Sequence, residues 1–204
     1  MVEKKNIFYF LFYPLRLFFD KIFFPVFKKK VARQVSLLCK NNQTILDVGC
    51  DDGTTAEKII QFNPTLKIVG IDIQEDRMSR IPRKIYNGKV IPYPNNSFDV
   101  VMALDVLHHT EDVLSLIKEM KRVSRKYIII KDHMIYSKYS RWLICFTDWI
   151  SNAPYGIKSS YNFPTKNEWE RYFNELNLKV TDKPKVNYGF GINEKYNPIF
   201  KLEK

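Results

Sequence analysis

Residues 45–55 constrain the fold of this chain more than any other segment. An apolar strand ends at Val48, a turn follows that holds Gly49 and Gly53, and residues 56–62 have a helical pattern. A strand that enters a helix through a glycine-containing turn lets the backbone approach a nucleotide-like ligand closely. The segment therefore predicts an α/β fold with a ligand site at the end of its first strand.

A second predicted strand, residues 67–72, ends in an acid. That acid, Asp72, stands where a doubly wound sheet places a carboxylate for two ribose hydroxyls. Asp51 occupies the place of an expected third glycine. Because Asp tolerates a positive φ better than most residues, we expect Asp51 to hold the turn.

Strands and helices alternate as far as residue 131, which predicts a parallel sheet with helices on both faces. The elements predicted after residue 72 are a short helix at 75–80, strands at 89–91, 98–104 and 127–131, and a helix at 112–124. Further helices are predicted at 137–152 and 166–176, the latter with Thr165 as N-cap. Strand-like residues 176–186 and 198–203 predict an antiparallel pair that closes the sheet.

A chain of 204 residues is long enough for one domain with a full core. We divide it into an N-terminal extension, residues 1–30, and a domain, residues 31–204. The three cysteines are odd in number and widely spaced, which indicates a reducing, cytoplasmic compartment rather than a disulfide framework. The histidines and cysteines lack zinc-site spacing, so we predict no metal ligands.

The N-terminal extension is aromatic and basic, and the net charge of the chain is +11. Charged residues interrupt its apolar run, so it is too broken to span a bilayer. Drawn as a helix, it has an apolar face formed by Ile7, Leu11, Leu15, Phe18 and Ile22. Pro25 suits the first turn of a second helix, residues 25–40. Three roles stay open for residues 5–27: peripheral contact with the inner membrane surface, a lid over the pocket, or an oligomer contact.

Three motifs in order resemble those of class I S-adenosylmethionine-dependent methyltransferases, particularly the small-molecule group that includes the quinone-biosynthesis enzymes. They are Leu46-Asp47-Val48-Gly49-Cys50, Val69-Gly70-Ile71-Asp72 and Ile91-Pro92-Tyr93-Pro94-Asn95-Asn96-Ser97-Phe98-Asp99-Val100-Val101, followed by Val106-Leu107-His108-His109-Thr110. The resemblance covers about residues 42–132. It implies a Rossmann-like, doubly wound seven-stranded sheet whose last strand is antiparallel, S-adenosylmethionine as cofactor, and a small or lipid-like methyl acceptor.

The resemblance also implies a set of cofactor-binding residues. Asp72 accepts both ribose hydroxyls, Asp47 helps to orient the methionine end, and the amide oxygen of Asn87 accepts from the adenine amino group. The Asn-Gly pair at 87–88 is also a common turn, which is the structural alternative. The implied set is Asp47, Gly49, Cys50, Asp51, Gly53, Asp72, Ile73, Asn87, Gly88 and Leu104.

Methyl transfer from a sulfonium mainly needs a positioned acceptor, and a general base can help to remove the acceptor's proton. Polar residues follow the fourth and fifth strands, at the edge where ligands bind. The candidates there are His108, His109, Asp105, Asp132 and His133. We predict His109, His133 and Asp105 as the catalytic residues; each histidine could instead be a hydrogen-bonded structural imidazole.

Two other functions compete with a small-molecule methyltransferase. The net charge favours an anionic partner and suggests a nucleic-acid methyltransferase. The chain lacks the Asn/Asp-Pro-Pro-aromatic tetrapeptide common in enzymes that methylate base amino groups, so nucleic acid is the less favoured partner. The departures at Asp51 and Asn87 suggest a non-catalytic cofactor-binding scaffold.

Overall fold

The computed structural model describes residues 17–75, 78–152, 161–189 and 192–204. Its helices are a π-helical turn at Phe19–Phe23, α1 (Phe24–Leu38), α2 (Thr54–Phe62), α3 (Val113–Val123), α4 (Lys138–Asn152) and α5 (Lys166–Glu175), with a 3-10 turn at Leu107–His109. Its strands are β1 (Thr44–Val48), β2 (Lys67–Asp72), β3 (Arg83–Ile85), β4 (Phe98–Leu104), β5 (Ser124–Lys131), β6 (Lys179–Asp182), β7 (Asn187–Gly189), β8 (Ile192–Asn193) and β9 (Ile199–Glu203).

Seven strands form one sheet in the order β3-β2-β1-β4-β5-β9-β6. The pairs from β3 to β5 are parallel, and β9 is antiparallel to both β5 and β6. This confirms the predicted doubly wound sheet with an antiparallel last strand. Val48 lies level with Ile71 on one side and with Ala103 on the other. The ends of β1, β2 and β4 therefore meet where the strand order reverses, which is where α/β sheets bind ligands.

The central strands are buried on both faces, as their apolar runs predict. Ile128 and Ile130 pack in one core layer with α3 and α5, and Ile129 packs in the other with α1 and α2. All three isoleucines have no exposed surface. Because successive strand residues point to opposite faces, a continuous apolar run is what a central strand needs.

Pro25 lies in the first turn of α1, as predicted. The π-helical turn before it runs into α1 without a break, so the two are continuous. In that turn the Phe24 N–H donates to the carbonyl of Phe19, five residues back. The wider turn lets the chain pass a residue that has no N–H to donate and that would clash in a regular helix.

The inner face of α1 is the predicted one, since Val31, Val35 and Leu38 are buried. Phe18 and Ile22, which belong to the predicted apolar face, are exposed. Ile7, Leu11 and Leu15 lie outside the described residues. The predicted boundary between residues 30 and 31 falls within α1, and the division into extension and domain stays a prediction. Within the described ranges, no helix is long and apolar enough to cross a membrane.

The connection between β2 and β4 was predicted wrongly. Of residues 75–80, the described ones are not helical, and the strand lies at Arg83–Ile85 instead of 89–91. The backbone N–H groups of Lys89 and Val90 donate to the Asn87 side chain, and that of Ile91 donates to Glu119. Because side chains take these donors, residues 89–91 have none left for a strand ladder.

The C-terminal part follows its prediction and adds a small hairpin. Helices α4 and α5 form as expected, and Thr165 and Glu168 make a capping box at the start of α5. Strands β6 and β9 pair antiparallel. The connection between them holds the extra two-stranded hairpin of β7 and β8.

Candidate active site

The turn after β1 has the backbone that its glycines allow. Gly49 has φ 71° and Gly53 φ 74°. A Cβ on Gly49 would lie 2.6 Å from two methyl carbons of Val106, so the chain passes here without room for a side chain. Asp51 has φ 50°, which confirms the expectation that it adopts the left-handed region in place of a glycine.

Asp72 receives hydrogen bonds from both sides of its carboxylate. The Asp51 N–H donates to Oδ2 at 2.8 Å, and the Gln74 N–H donates to Oδ1 at 2.9 Å. Each carboxylate oxygen has two lone pairs, so each keeps one acceptor position. Two such positions on one carboxylate match the two donors of a vicinal diol.

Asp47 lies beside Asp72 at the end of β1 and is buried. Burial, and then the charge of Asp72, raise the pKa of Asp47 to about 8. The Asp47 carboxyl is therefore mostly protonated at neutral pH, and a cation bound nearby would favour its ionised form.

Cys50 lines the cavity described below, but its sulfur packs against Gly70. Burial, and then the charges of Asp47 and Asp72, raise the pKa of the Cys50 thiol to about 12. The thiol is therefore no nucleophile at neutral pH. Gly53 starts α2, and a Cβ there would come within 2.9 Å of Ile81.

The residues after β2 and β3 form one wall of the site. Ile73 is 61% exposed, and the side chain of Tyr86 lies in the same wall. Gly88 has φ 75° and lies next to Ile73. The Asn87 oxygen already accepts two backbone N–H groups at 2.9 Å, so its lone pairs serve the turn. This oxygen therefore has no lone pair left for the adenine amino group in this conformation.

An ion pair between a buried lysine and a partly exposed aspartate lies at the ends of β4 and β5. Leu104 ends β4, and Asp105, with φ 60°, follows it into the cavity lining. The Lys131 side chain is fully buried; its Nζ contacts Asp105 and donates to Asn197 Oδ1 at 3.1 Å. The same Nζ lies 4.4 Å from the ring centroid of Phe27 in α1. Lys131 thus links the cavity floor to the N-terminal helix.

His108 is held between two carboxylates. Its Nδ1 lies 2.6 Å from Asp132 Oδ1, and its Nε2 lies 3.5 Å from Asp148 Oδ1. Burial alone would lower the pKa of His108, but Asp132 and then Asp148 outweigh it and raise the pKa to about 10. Burial works to raise the pKa of Asp132, and the charge of His108 reverses this and holds it below its usual range. His108 is therefore protonated at neutral pH.

The two predicted catalytic histidines, His109 and His133, both pack against the ring of His108. The ring centroid of His109 lies 4.1 Å from that of His108, and that of His133 lies 5.0 Å from it. Burial, and then the charge of His108, lower the pKa of both, to about 4 for His133. Both imidazoles are therefore neutral at pH 7.

One cavity of about 1560 Å³ joins these groups. It extends from Asp72 past Asp105 to the histidines, and the π-helical turn and α1 together line it with an aromatic face. This aromatic face consists of Phe19, Phe23, Phe24 and Phe27. Residues that are far apart in the sequence therefore line a single space.

The cavity includes every predicted site residue except Gly53. Sequence reasoning gave no role to Tyr86, Lys131 or Asp148, which also line it. The aromatic composition of residues 19–27 was a signal for a ligand-facing helix. Nothing in the sequence indicated that Asp148, in the second half of α4, lies beside His108.

The site fits S-adenosylmethionine in two respects. A close backbone passage at Gly49, where a Cβ has no room, is what a nucleotide-type ligand requires. The Asp72 carboxylate has two free acceptor positions for a ribose diol, and the acidic surroundings of Asp47 suit a cationic ligand.

Comparison with known proteins gives the family. The sequence matches the methyltransferase-domain family over residues 19–183. The 27-O-demethylrifamycin SV methyltransferase of Amycolatopsis mediterranei is 34% identical over 94 residues, which cover 40% of this chain and 34% of that protein. A tRNA U34 carboxymethyltransferase from Nautilia profundicola is 31% identical over 91 residues, covering 39% and 30%. The chain thus matches about a third of the length of these relatives.

Solved structures agree in fold. A protein from Pyrococcus horikoshii superposes with a TM-score of 0.69 at 16% identity, covering 97% of this chain and 98% of that one. A SAM-dependent methyltransferase from Aquifex aeolicus gives 0.59 at 18% identity, covering 86% and 88%. These likenesses concern the fold, whereas the family match spans most of the sequence. The chain belongs to the methyltransferase-domain family, the class I S-adenosylmethionine-dependent methyltransferases, and S-adenosylmethionine is its cofactor.

Proposed function

We propose that this chain methylates a small-molecule acceptor that lies beside the cofactor in the same cavity. The observation that carries the proposal is the continuity of that cavity from Asp72 to the histidines and the aromatic face. A site for one ligand takes about 300–1,000 Å³. The volume of about 1560 Å³ therefore has room for cofactor and acceptor together.

S-adenosylmethionine supplies an activated methyl group, so the protein's main task is to position the acceptor and to exclude water. The aromatic face of α1 offers flat, apolar surface for an aromatic or apolar acceptor. Lys131 holds Asp105 at the floor of the cavity, and we assign Asp105 a positioning role.

His109 and His133 are the proposed proton acceptors. Both line the cavity, and both are neutral at pH 7 because their pKa values are lowered. A neutral imidazole has a lone pair that can take the proton of a phenol, amine or enol acceptor. His108 is protonated at that pH and has no such lone pair.

Labelling with methyl-labelled S-adenosylmethionine and a fractionated cell extract tests the proposal. We expect the label in the small-molecule fraction and its loss with Asp72→Asn, which removes the charged acceptor of the diol. Asp182→Asn is the matched control, because Asp182 is exposed on β6. Label confined to RNA would contradict the small-molecule acceptor.

RNA is the second candidate acceptor. The net charge of +11 favours it, and the relatives named tRNA U34 carboxymethyltransferase are consistent with it. A protein that neutralises several phosphates loses affinity steeply as salt rises. Retention on immobilised RNA at moderate salt would support RNA, and elution at low salt would count against it.

We further propose that the N-terminal segment serves chiefly as a wall of the acceptor pocket. The four phenylalanines of the aromatic face line the cavity, which supports the lid among the three predicted roles. Peripheral membrane contact through residues 5–27 is tested by co-sedimentation with anionic liposomes. Equal sedimentation of the full chain and of a chain that lacks residues 1–16 would show that residues 1–16 make no such contact.

A further inference from the structure

We propose that His108, His109 and Asp148 bind a divalent transition-metal cation at the end of the cavity that lies away from Asp72. One ligand atom from each of the three side chains lies within 4.8 Å of the other two. All three residues line the cavity. The proposal goes beyond methyl transfer, because cation binding needs neither the cofactor nor the acceptor.

The spacing of two of these ligands suits a metal better than a hydrogen bond. His108 Nε2 and Asp148 Oδ1 are 3.5 Å apart, at the upper limit for a hydrogen bond. With metal–ligand distances of about 2.0–2.1 Å, two ligands of a tetrahedral ion lie about 3.3 Å apart. A small movement of α4 therefore places both atoms on one ion.

Asp132 orients His108 for this role. It accepts from His108 Nδ1 at 2.6 Å, which leaves Nε2 directed at Asp148. A bound cation takes the place of the Nε2 proton, which is released to solvent on binding. Asp132 itself is fixed by the backbone N–H groups of Leu107 at 2.8 Å and His133 at 2.7 Å. A carboxylate behind a histidine in this manner is the usual outer-shell arrangement of metal-bound histidines.

A second group, His108, Asp132 and His133, also lies within 4.8 Å, but it does not suit an ion. Its His108 and Asp132 atoms are 2.6 Å apart, a hydrogen-bond distance that is shorter than the spacing of two ligands on one metal. The structure therefore assigns the metal to the side of His108 that faces Asp148.

The donor set selects the class of cation. Two imidazoles and one carboxylate suit Zn²⁺, Fe²⁺, Co²⁺ or Mn²⁺, whereas Mg²⁺ and Ca²⁺ prefer oxygen ligands alone. Three protein ligands leave at least one coordination position. That position faces the cavity, where an acceptor oxygen can occupy it. His133 is left outside the ligand set. With the cation bound, His133 alone remains as a proton acceptor, because ligation takes the lone pair of His109.

Titration of the full chain with Co²⁺, after dialysis against a chelator, tests the proposal without cofactor or acceptor. We expect one Co²⁺ per chain with visible d–d absorption, displaced by Zn²⁺ and not by Mg²⁺. Asp148→Asn and His108→Gln should each weaken binding at least about tenfold, the loss that even outer-shell changes cause. His133→Gln is the matched control and should bind Co²⁺ as the wild type does.

Two results would overturn the proposal. One is the absence of stoichiometric Co²⁺ binding by the wild type. The other is retained binding in Asp148→Asn together with loss in His133→Gln, which would move the ion to the second group. Far-UV circular dichroism and thermal unfolding establish that each variant is folded, so a loss of binding reports on the ligands. A failure of the labelling experiment would leave these outcomes unchanged.

Discussion

Asp47 is a buried carboxyl whose charge depends on what lies beside it. Burial and the neighbouring Asp72 raise its pKa to about 8, so the protonated form prevails at pH 7. The protonated form also adds folding stability. That contribution is complete below the unfolded pKa of about 4 and is lost as the pH rises through about 8. A cationic ligand bound nearby lowers the pKa of Asp47 and favours its ionised form.

We expect S-adenosylmethionine to bind more tightly as the pH rises towards about 8, because the ionised carboxylate attracts the cation. Calorimetry at pH 7 in two buffers of different ionisation enthalpy should show proton release on binding. Asp47→Asn removes the titrating group and should abolish that release. Undiminished proton release by the variant would contradict the assignment to Asp47.

The turn offers a matched pair of variants. Gly49→Ala adds a Cβ 2.6 Å from Val106 at φ 71°, where the left-handed conformation alone costs about 1–2 kcal/mol. We expect it to weaken cofactor binding at least tenfold, at about 1.4 kcal/mol per factor of ten. Asp51→Gly places a glycine where φ is 50°, a conformation that glycine adopts without strain, and should leave the affinity for S-adenosylmethionine unchanged. Calorimetry measures both, and a clear loss in Asp51→Gly would show that its carboxylate takes part in binding.

Single residues were predictable where backbone geometry alone dictates them. Asp72 follows from its place at the end of a strand, and the φ of Asp51 follows from the missing glycine. Asn87 was not predictable, because its oxygen can serve a ligand or the local turn, and the turn takes it. Asp148 meets His108 only through the packing of α4, which no local pattern encodes.

At the scale of elements, α1 is fastened to the sheet through Phe27. The Phe27 ring lies 4.8 Å from that of Tyr188, and the Lys131 ammonium lies over it. Lys30 donates to the carbonyl of Asn187 at 3.0 Å, so the hairpin of β7 and β8 also holds the helix. Local sequence predicted the helix itself but not these attachments, because they join residues that are far apart in the sequence.

Phe27→Ala should lower the free energy of unfolding by about 3 kcal/mol or more, because it removes a buried ring from the core. Phe18 precedes the π-helical turn and has an exposed side chain, so Phe18→Ala should change the free energy of unfolding by about 0.5 kcal/mol or less. Urea denaturation measures both. Equal losses would show that the helix is not held through its inner face.

At the scale of the whole molecule, β9 completes the sheet. It pairs with β5 on one side and β6 on the other, although β6 and β9 are separated by the hairpin. The alternation of strands and helices predicted the sheet, because hydrophobic period and turn residues agree along most of the chain. The prediction failed at residues 89–91, where side chains accept the backbone N–H groups that a strand would need.

Leu202→Ala should cost about 2–5 kcal/mol of unfolding free energy, because Leu202 has no exposed surface and lies in β9 between both partners. Glu203→Ala changes the next residue, whose ion pair with Lys126 at 3.4 Å is exposed, and should cost less than about 1 kcal/mol. Thermal and urea unfolding give both values. A cost for Glu203→Ala equal to that for Leu202→Ala would contradict the central place of β9 in the core.

The π-helical turn at Phe19–Phe23 has a consequence for how the pocket can change. In a regular α-helix, side chains five positions apart point about 140° away from each other. Here the rings of Phe19 and Phe24 lie 5.8 Å apart and line the same cavity. In the wider π-helical turn, five positions bring two side chains to one face, where a regular α-helix needs four. A regular helical turn of the same length would direct one of these two rings away from the cavity, so the aromatic face of the acceptor pocket depends on the backbone of this turn as well as on its side chains.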